Sequence, residues 1–222
     1  MLLATLPDED QRHVARRAEI VPLHKGQVVC EAGRPLDHAY FPMRGLVSLQ
    51  KLAVDGASVE LASVSRHGMV GVPLVLGARR ASYTARVQVQ GAAVRVRTHV
   101  LEALLSECPA VRSHLLAYAN DLIEEIGQGL HCHSLHPGLQ RLCRWLLVTA
   151  ERLDDQVVPL THDALGQVLG MPRTGVTRLV TELQEAGAIR CRYGRITILN
   201  RRRLELSACD CNSREPAGLP DR

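Results

Sequence analysis

Apolar positions between Leu160 and Asn200 change their period twice. Ala164, Leu165, Val168 and Leu169 recur at helical spacing behind Thr161, a residue suited to an N-cap, with Asp163 in the first turn. Gly170 permits a sharp turn, and Pro172 suits the start of a second helix. Val176, Leu179, Val180 and Leu183 then form a core-facing stripe, while Arg173, Thr174, Thr177, Arg178 and Thr181 occupy the opposite face. Gly187 ends this helix, and Ile189–Leu199 alternates around Tyr193-Gly194 as a hairpin would. Two short helices joined by a glycine turn and followed by a hairpin predict a winged helix-turn-helix.

Upstream the pattern is different. Pro7–Ala18 reads as a short helix, after which the period becomes two. Candidate strands are Ile20–Leu23, Gly26–Cys30, His38–Phe41, Gly45–Val54, Ser58–Val64, Tyr83–Gln90 and Ala93–Arg97, with Asp55-Gly56 as a hairpin turn. Many short strands with close turns predict a jelly-roll β-barrel. Helical spacing returns at Val100–Leu105, Cys108-Pro109 interrupts it, and a long helix is expected from Ala110 to Gly129. Leu115, Ala119, Leu122, Ile126 and Leu130 make a heptad-like seam on that helix, which fits a dimer interface; the alternative is packing on the barrel. His136-Pro137-Gly138 punctuates the chain before an amphipathic helix at Leu139–Leu153. The expected organisation is α+β: an N-terminal β-roll sensor over 1–108, a connecting and dimerisation helix over 109–134, a winged helix-turn-helix over 135–211, and a disordered tail over 212–222.

Charge sharpens the reading. Residues 161–203 hold eight arginines (173, 178, 190, 192, 195, 201, 202 and 203) against the acids at 163, 182 and 185, whereas the whole chain carries only +4. The remainder is close to neutral, so the positive charge is concentrated on the reading helix and its wing, as phosphate binding requires. At 222 residues there is room for two modest domains. The opening MLLATLPDEDQ has no basic n-region, no stretch is apolar enough for a membrane, and seven irregularly spaced cysteines suit free thiols in a reducing compartment. A cytoplasmic protein without membrane contact is expected.

A β-roll, a long helix and a winged helix-turn-helix in this order resemble the Crp–Fnr family of bacterial transcription regulators. The likeness rests on LTHDALGQVLGMPRTGVTRLVTELQEAGAI with the Tyr193-Gly194-Arg195 wing, and more weakly on GQVVCEAGRPLDHAYFPMRGLVSLQ. It implies a homodimer that binds a palindromic operator in double-stranded DNA, responds to a signal sensed by the N-terminal domain, and works with RNA polymerase. Arg173 and Arg178 fall where the family places base-contacting arginines, and a guanidinium fork matches O6 and N7 of guanine. Thr174 stands where many members carry a glutamate, so the familiar half-site is not expected. Thr161, Thr177 and Arg195 are candidates for phosphate contacts.

The sensor half departs from the cyclic-nucleotide pattern. Gly71 is followed by Val72-Pro73 in place of a ribose-binding glutamate, and Ala81 occupies the phosphate-binding arginine position. Arg79, Arg80 and Ser82 remain a candidate anion site, but cyclic AMP is not expected and the effector is unknown. Only Cys30 precedes residue 100, against an iron–sulfur cluster. His131, Cys132, His133, His136 and Cys143 gather near the hinge, and Cys209-Asp210-Cys211 closes the folded part. These are soft-metal or redox groups, with Cys209 and Cys211 the weak metal candidates, yet their spacing matches no standard zinc pattern. The plainer expectation is no metal, with the cysteines as small hydrophobes and the histidines as polar hinge residues. Two other functions stay open: a constitutive DNA binder, and a cupin-type metalloenzyme. The second is weakened because His24, His38 and His67 are isolated. No catalytic arrangement emerges, and the chain is not expected to be an enzyme.

Overall fold

The computed structural model describes residues 1–53 and 58–213. The end of the expected strand at Val54, the Asp55-Gly56 turn and the tail from 214 lie outside them. Packing divides the chain into two units, Met1–Ile123 and Glu124–Arg222.

In the N-terminal unit, a single 3-10 turn at Leu2–Thr5 precedes α1 (Asp8–Ala15), whose first turn holds Asp8, Glu9 and Asp10. Next come β1 (Glu19–Leu23), β2 (Val28–Cys30), β3 (His38–Leu52), β4 (Ser58–Val64), the single turn α2 (Val72–Val75), β5 (Thr84–Arg97) and α3 (Thr98–Glu107). All these strands belong to one antiparallel sheet in the order β1-β5-β3-β4, with β2 also paired to β5. Leu23, Phe41, Leu46, Leu49, Met69, Leu101 and Leu104 are fully buried in its core.

Two strands proved longer than expected. The strands expected from His38 and from Gly45 run together as β3 up to Leu52, and those expected from Tyr83 and from Ala93 run together as β5 from Thr84. The segment Pro42-Met43-Arg44-Gly45 is a run of register shifts within the β3–β5 ladder and not a turn. Glycine makes this approach possible on both strands. A Cβ on Gly45 would lie 2.6 Å from the Val89 carbonyl oxygen, and one on Gly91 would lie 2.0 Å from that of Arg44.

The long helix α4 (Pro109–Leu135) extends beyond the expected Gly129, and the division between units falls inside it, not near residue 134. The expected dimer seam needs correction. Leu115, Ala119 and Leu122 are already buried within the single chain, and Ile126 is half-buried. The exposed large apolar positions of α4 are Leu116, Ile123 and Leu130, spaced seven residues apart, and Leu135 at its end. Packing within the chain claimed Leu115, Ala119 and Leu122, whereas Leu130, the last member of the expected seam, lies exposed with Leu116 and Ile123.

The C-terminal unit continues with α5 (Gly138–Leu153), β6 (Val157–Val158), α6 (His162–Leu169), α7 (Arg173–Glu185), β7 (Ile189–Arg192), β8 (Arg195–Ile198), α8 (Arg201–Ser207) and a 3-10 turn at Asp210–Ser213. That last turn includes two residues expected to be disordered, 212 and 213. The strands form a sheet in the order β6-β8-β7. Leu142, Leu146 and Leu147 of α5 pack with Leu165, Val176, Leu179, Val180, Ile189, Ile196 and Leu204 in one core. Neither β6 nor α8 was expected from the sequence; α8 is capped by Asn200, whose side chain accepts from the Arg203 amide at 3.1 Å.

Candidate nucleic-acid interface

The helix pair is fixed by its turn. Thr161 caps α6 by accepting from the Ala164 amide at 3.3 Å. Gly170 then takes φ 59°, and a Cβ at Gly166 would meet the Met171 carbonyl oxygen at 2.8 Å, so both glycines are needed for the close turn. Helix α7 buries Val176, Leu179, Val180 and Leu183, which leaves Arg173, Thr174, Thr177, Arg178 and Thr181 exposed on one face.

Those exposed residues are not equivalent. Arg178 makes no ion pair among the described residues and keeps all its donors for a ligand. Arg173 is paired with Asp163 of α6 at 3.2 Å, both side chains being largely exposed. DNA would have to displace that carboxylate, an exchange that costs little at the surface. Thr177 is a correction to the expected phosphate contacts. Its hydroxyl donates to the Arg173 carbonyl at 3.0 Å, so it accepts from His162 Nδ1, also at 3.0 Å. That tautomer leaves His162 Nε2 to accept from the Cys191 thiol at 3.5 Å, and burial raises the Cys191 pKa and keeps the proton on sulfur. His162, which no pattern in the sequence singles out, thereby ties α6 to α7 and to β7. Thr161 uses an acceptor on its cap but is exposed and retains its own hydroxyl proton for a phosphate.

The wing is the more strongly basic part. Tyr193 and Gly194 have φ 49° and 68°, the two positive values that a type I′ hairpin turn needs. Across the hairpin Arg190 pairs with Thr197 and Arg192 with Arg195, so these four side chains share the outward face while Ile189, Ile196 and Ile198 point inward. With Tyr193 they line an open concavity of about 420 Å³. Like charges directly opposite one another on a sheet repel. An arrangement of this kind is favourable only beside a polyanion. Arg195 was expected here; Arg190 and Arg192 were missed as site residues, although the alternation around Tyr193-Gly194 already places them on its face.

Two arginines of the basic segment serve the fold. Arg201 bridges Glu151 and Glu205, and Arg203 donates to the Ala186 carbonyl. Among the described residues α7 and the wing thus hold Arg178, Arg190, Arg192 and Arg195 without a carboxylate partner, and α8 keeps Arg202 exposed as well.

Residues 140–206 match the Crp-like helix-turn-helix domain, and residues 20–108 match the cyclic nucleotide-binding domain. The chain belongs to the Crp–Fnr family of transcription regulators. Among its relatives, this Crp–Fnr regulator is 29% identical over 189 residues to the transcriptional regulator SdrP of Thermus thermophilus, covering 82% of the chain and 90% of SdrP. It is 23% identical over 194 residues to the global nitrogen regulator of Synechococcus elongatus, covering 82% and 86%. Its fold resembles that of FixK2 from Bradyrhizobium japonicum with a TM-score of 0.76 at 19% identity, over 86% of this chain and 98% of FixK2.

Within the family's ligand-binding half, the expected anion site does not assemble. Arg79 pairs with Glu102 at 3.0 Å, Arg80 donates to the Gly33 carbonyl at 2.9 Å, and both are exposed with Ser82. The residue that turns inward between them is Ala81, 4% exposed. The segment leading into β5 thus leaves both guanidinium groups at the surface and turns a methyl group inward. Gly71, where the ribose carboxylate would follow, instead donates its amide to the Tyr83 hydroxyl at 3.1 Å. Where the resemblance would place a phosphate-binding arginine and a ribose-binding carboxylate, the chain has the buried Ala81 and Val72. Among the described residues no helix is long and apolar enough to cross a membrane.

Proposed function

We propose that this Crp–Fnr regulator works in the cytoplasm as a homodimer on a two-fold symmetric operator, under control of a signal other than cyclic AMP received by its N-terminal unit. The observation that carries the reading is the continuous basic face formed by α7 and the wing, where Arg178, Arg190, Arg192 and Arg195 are exposed without carboxylate partners among the described residues. Helix α7 enters the major groove; Arg178 and Arg173 read guanine edges beside Thr174, and the wing arginines with Thr161 hold phosphates. The exposed row Leu116, Ile123 and Leu130 on α4 supplies the dimer contact at coiled-coil spacing. A signal acts by shifting the population of dimers whose two α7 helices match successive major grooves, and RNA polymerase is the partner of the bound form.

The test is selection of bound sites from random duplex DNA by wild type and Arg178→Ala under reducing conditions, with and without cell extract. Wild type is expected to enrich an inverted repeat. The variant should lose preference at one symmetric base pair, a cost of about 1–3 kcal/mol per contact. Failure of wild type to enrich any sequence in either condition would overturn the proposal.

A further inference from the structure

The C-terminal end of α4 and the chain that follows α8 bring together soft donor groups that lie more than seventy residues apart in sequence. Cys132 and His136 are one helical turn apart on the same face, and the Cys209-Asp210-Cys211 segment folds against them. Cys132 Sγ lies 3.9 Å from Cys209 Sγ, and Cys211 Sγ lies 3.3 Å from His136 Nε2. The sulfurs of Cys132, Cys209 and Cys211 all fall within 4.8 Å of one another, as do the ligand atoms of His131, His136 and Cys211. Cys132 and Cys209 are each 4% exposed, and Cys211 and His136 are half-buried.

The Cys132–Cys209 and Cys211–His136 separations match two edges of a metal tetrahedron, and Cys211 is shared by the thiol trio and the His131–His136 pair. With Zn–S near 2.3 Å and Zn–N near 2.0 Å, tetrahedral angles place sulfurs about 3.8 Å apart and sulfur about 3.5 Å from nitrogen. We infer that Cys132, Cys209, Cys211 and His136 form a site of three thiolates and one imidazole for a thiophilic divalent cation, Zn2+ in first place, with His131 standing just outside the ligand set. The metal clamps the turn after α8 onto the last turn of α4.

Co2+ reports this geometry directly. The full chain, purified under a non-thiol reductant and stripped with chelator, is titrated with Co2+ and then Zn2+, with metal content measured by mass spectrometry. One equivalent per chain is expected, with the thiolate charge-transfer absorption and intense visible bands of tetrahedral cobalt held by three sulfurs and one nitrogen, bleached by Zn2+. Cys211→Ala, at a half-exposed position that spares the core, should lose these bands and bind at least about tenfold more weakly while its circular dichroism stays native. Cys191→Ala, in the wing, should titrate as wild type. Substoichiometric uptake by wild type, a pale octahedral spectrum without charge transfer, or unchanged binding by both Cys211→Ala and His136→Ala would overturn the site. None of these readings depends on DNA binding.

Discussion

Arginines that look alike in sequence do different work here. Arg195 projects from the wing without a carboxylate partner among the described residues, whereas Arg203, only eight positions on, is fastened to the Ala186 carbonyl. Each phosphate contact releases counterions, so its loss lowers the slope of affinity against salt concentration. Arg195→Ala should reduce that slope by about one unit per protomer and weaken binding equally on all sequences. Arg203→Ala should leave the slope unchanged and lower the urea midpoint instead. Equal slopes for Arg195→Ala and wild type would remove the wing from the phosphate path. Charge counting cannot make this distinction, because it depends on which backbone oxygen or carboxylate stands within reach after folding. The same holds for Thr177, whose hydroxyl looked free on a helical wheel and is engaged by His162.

Among the elements, α4 has the most to decide. If Leu116, Ile123 and Leu130 make the dimer contact, Ile123→Asp should give monomers by sedimentation with a native circular dichroism spectrum. Leu115→Asp, which places a carboxylate at a fully buried site, should unfold the N-terminal unit. A dimeric Ile123→Asp would refute the assignment. Spacing alone could not choose between the two stripes, since both are apolar at helical spacing; what separates them is which one the folded chain covers. Where local chemistry sufficed, the elements were legible. Thr161, Gly170, Gly187 and Tyr193-Gly194 mark the ends of α6, α7 and the wing strands close to where they fall. Where a tertiary contact overrode the local signal, they were not. The stretch from Pro42 to Gly45 separated two expected strands, but pairing with β5 carries one strand through it. The cysteine cluster was illegible for a related reason, because its two halves meet only once α8 has turned the chain back.

For the molecule as a whole, buried thiols set a limit on alkaline stability. Burial pushes Cys30 up to about 11 and Cys143 up to about 12. Groups with raised values in the folded state stabilise it fully below the unfolded thiol value, near pH 9, and lose that contribution as pH climbs through the folded ones. The urea midpoint should therefore fall steeply only above about pH 9, and the Cys30→Ala/Cys143→Ala variant should show a shallower fall. Identical pH profiles would show that other groups control the decline. Both units contribute, since Cys30 lies in the sheet and Cys143 in the core of the helix-turn-helix.

The facing pair Arg192 and Arg195 sets stability and affinity against each other. The free wing holds two like charges opposite one another, a cost of about 0.2–1 kcal/mol that only DNA relieves. Exchange of either residue for an uncharged one would make the unbound fold sturdier and its grip on DNA looser. Sequence drift at these two positions is thus caught between robustness and occupancy, and a relative with a neutral residue in either place would be expected to need a higher cellular concentration to fill the same operators.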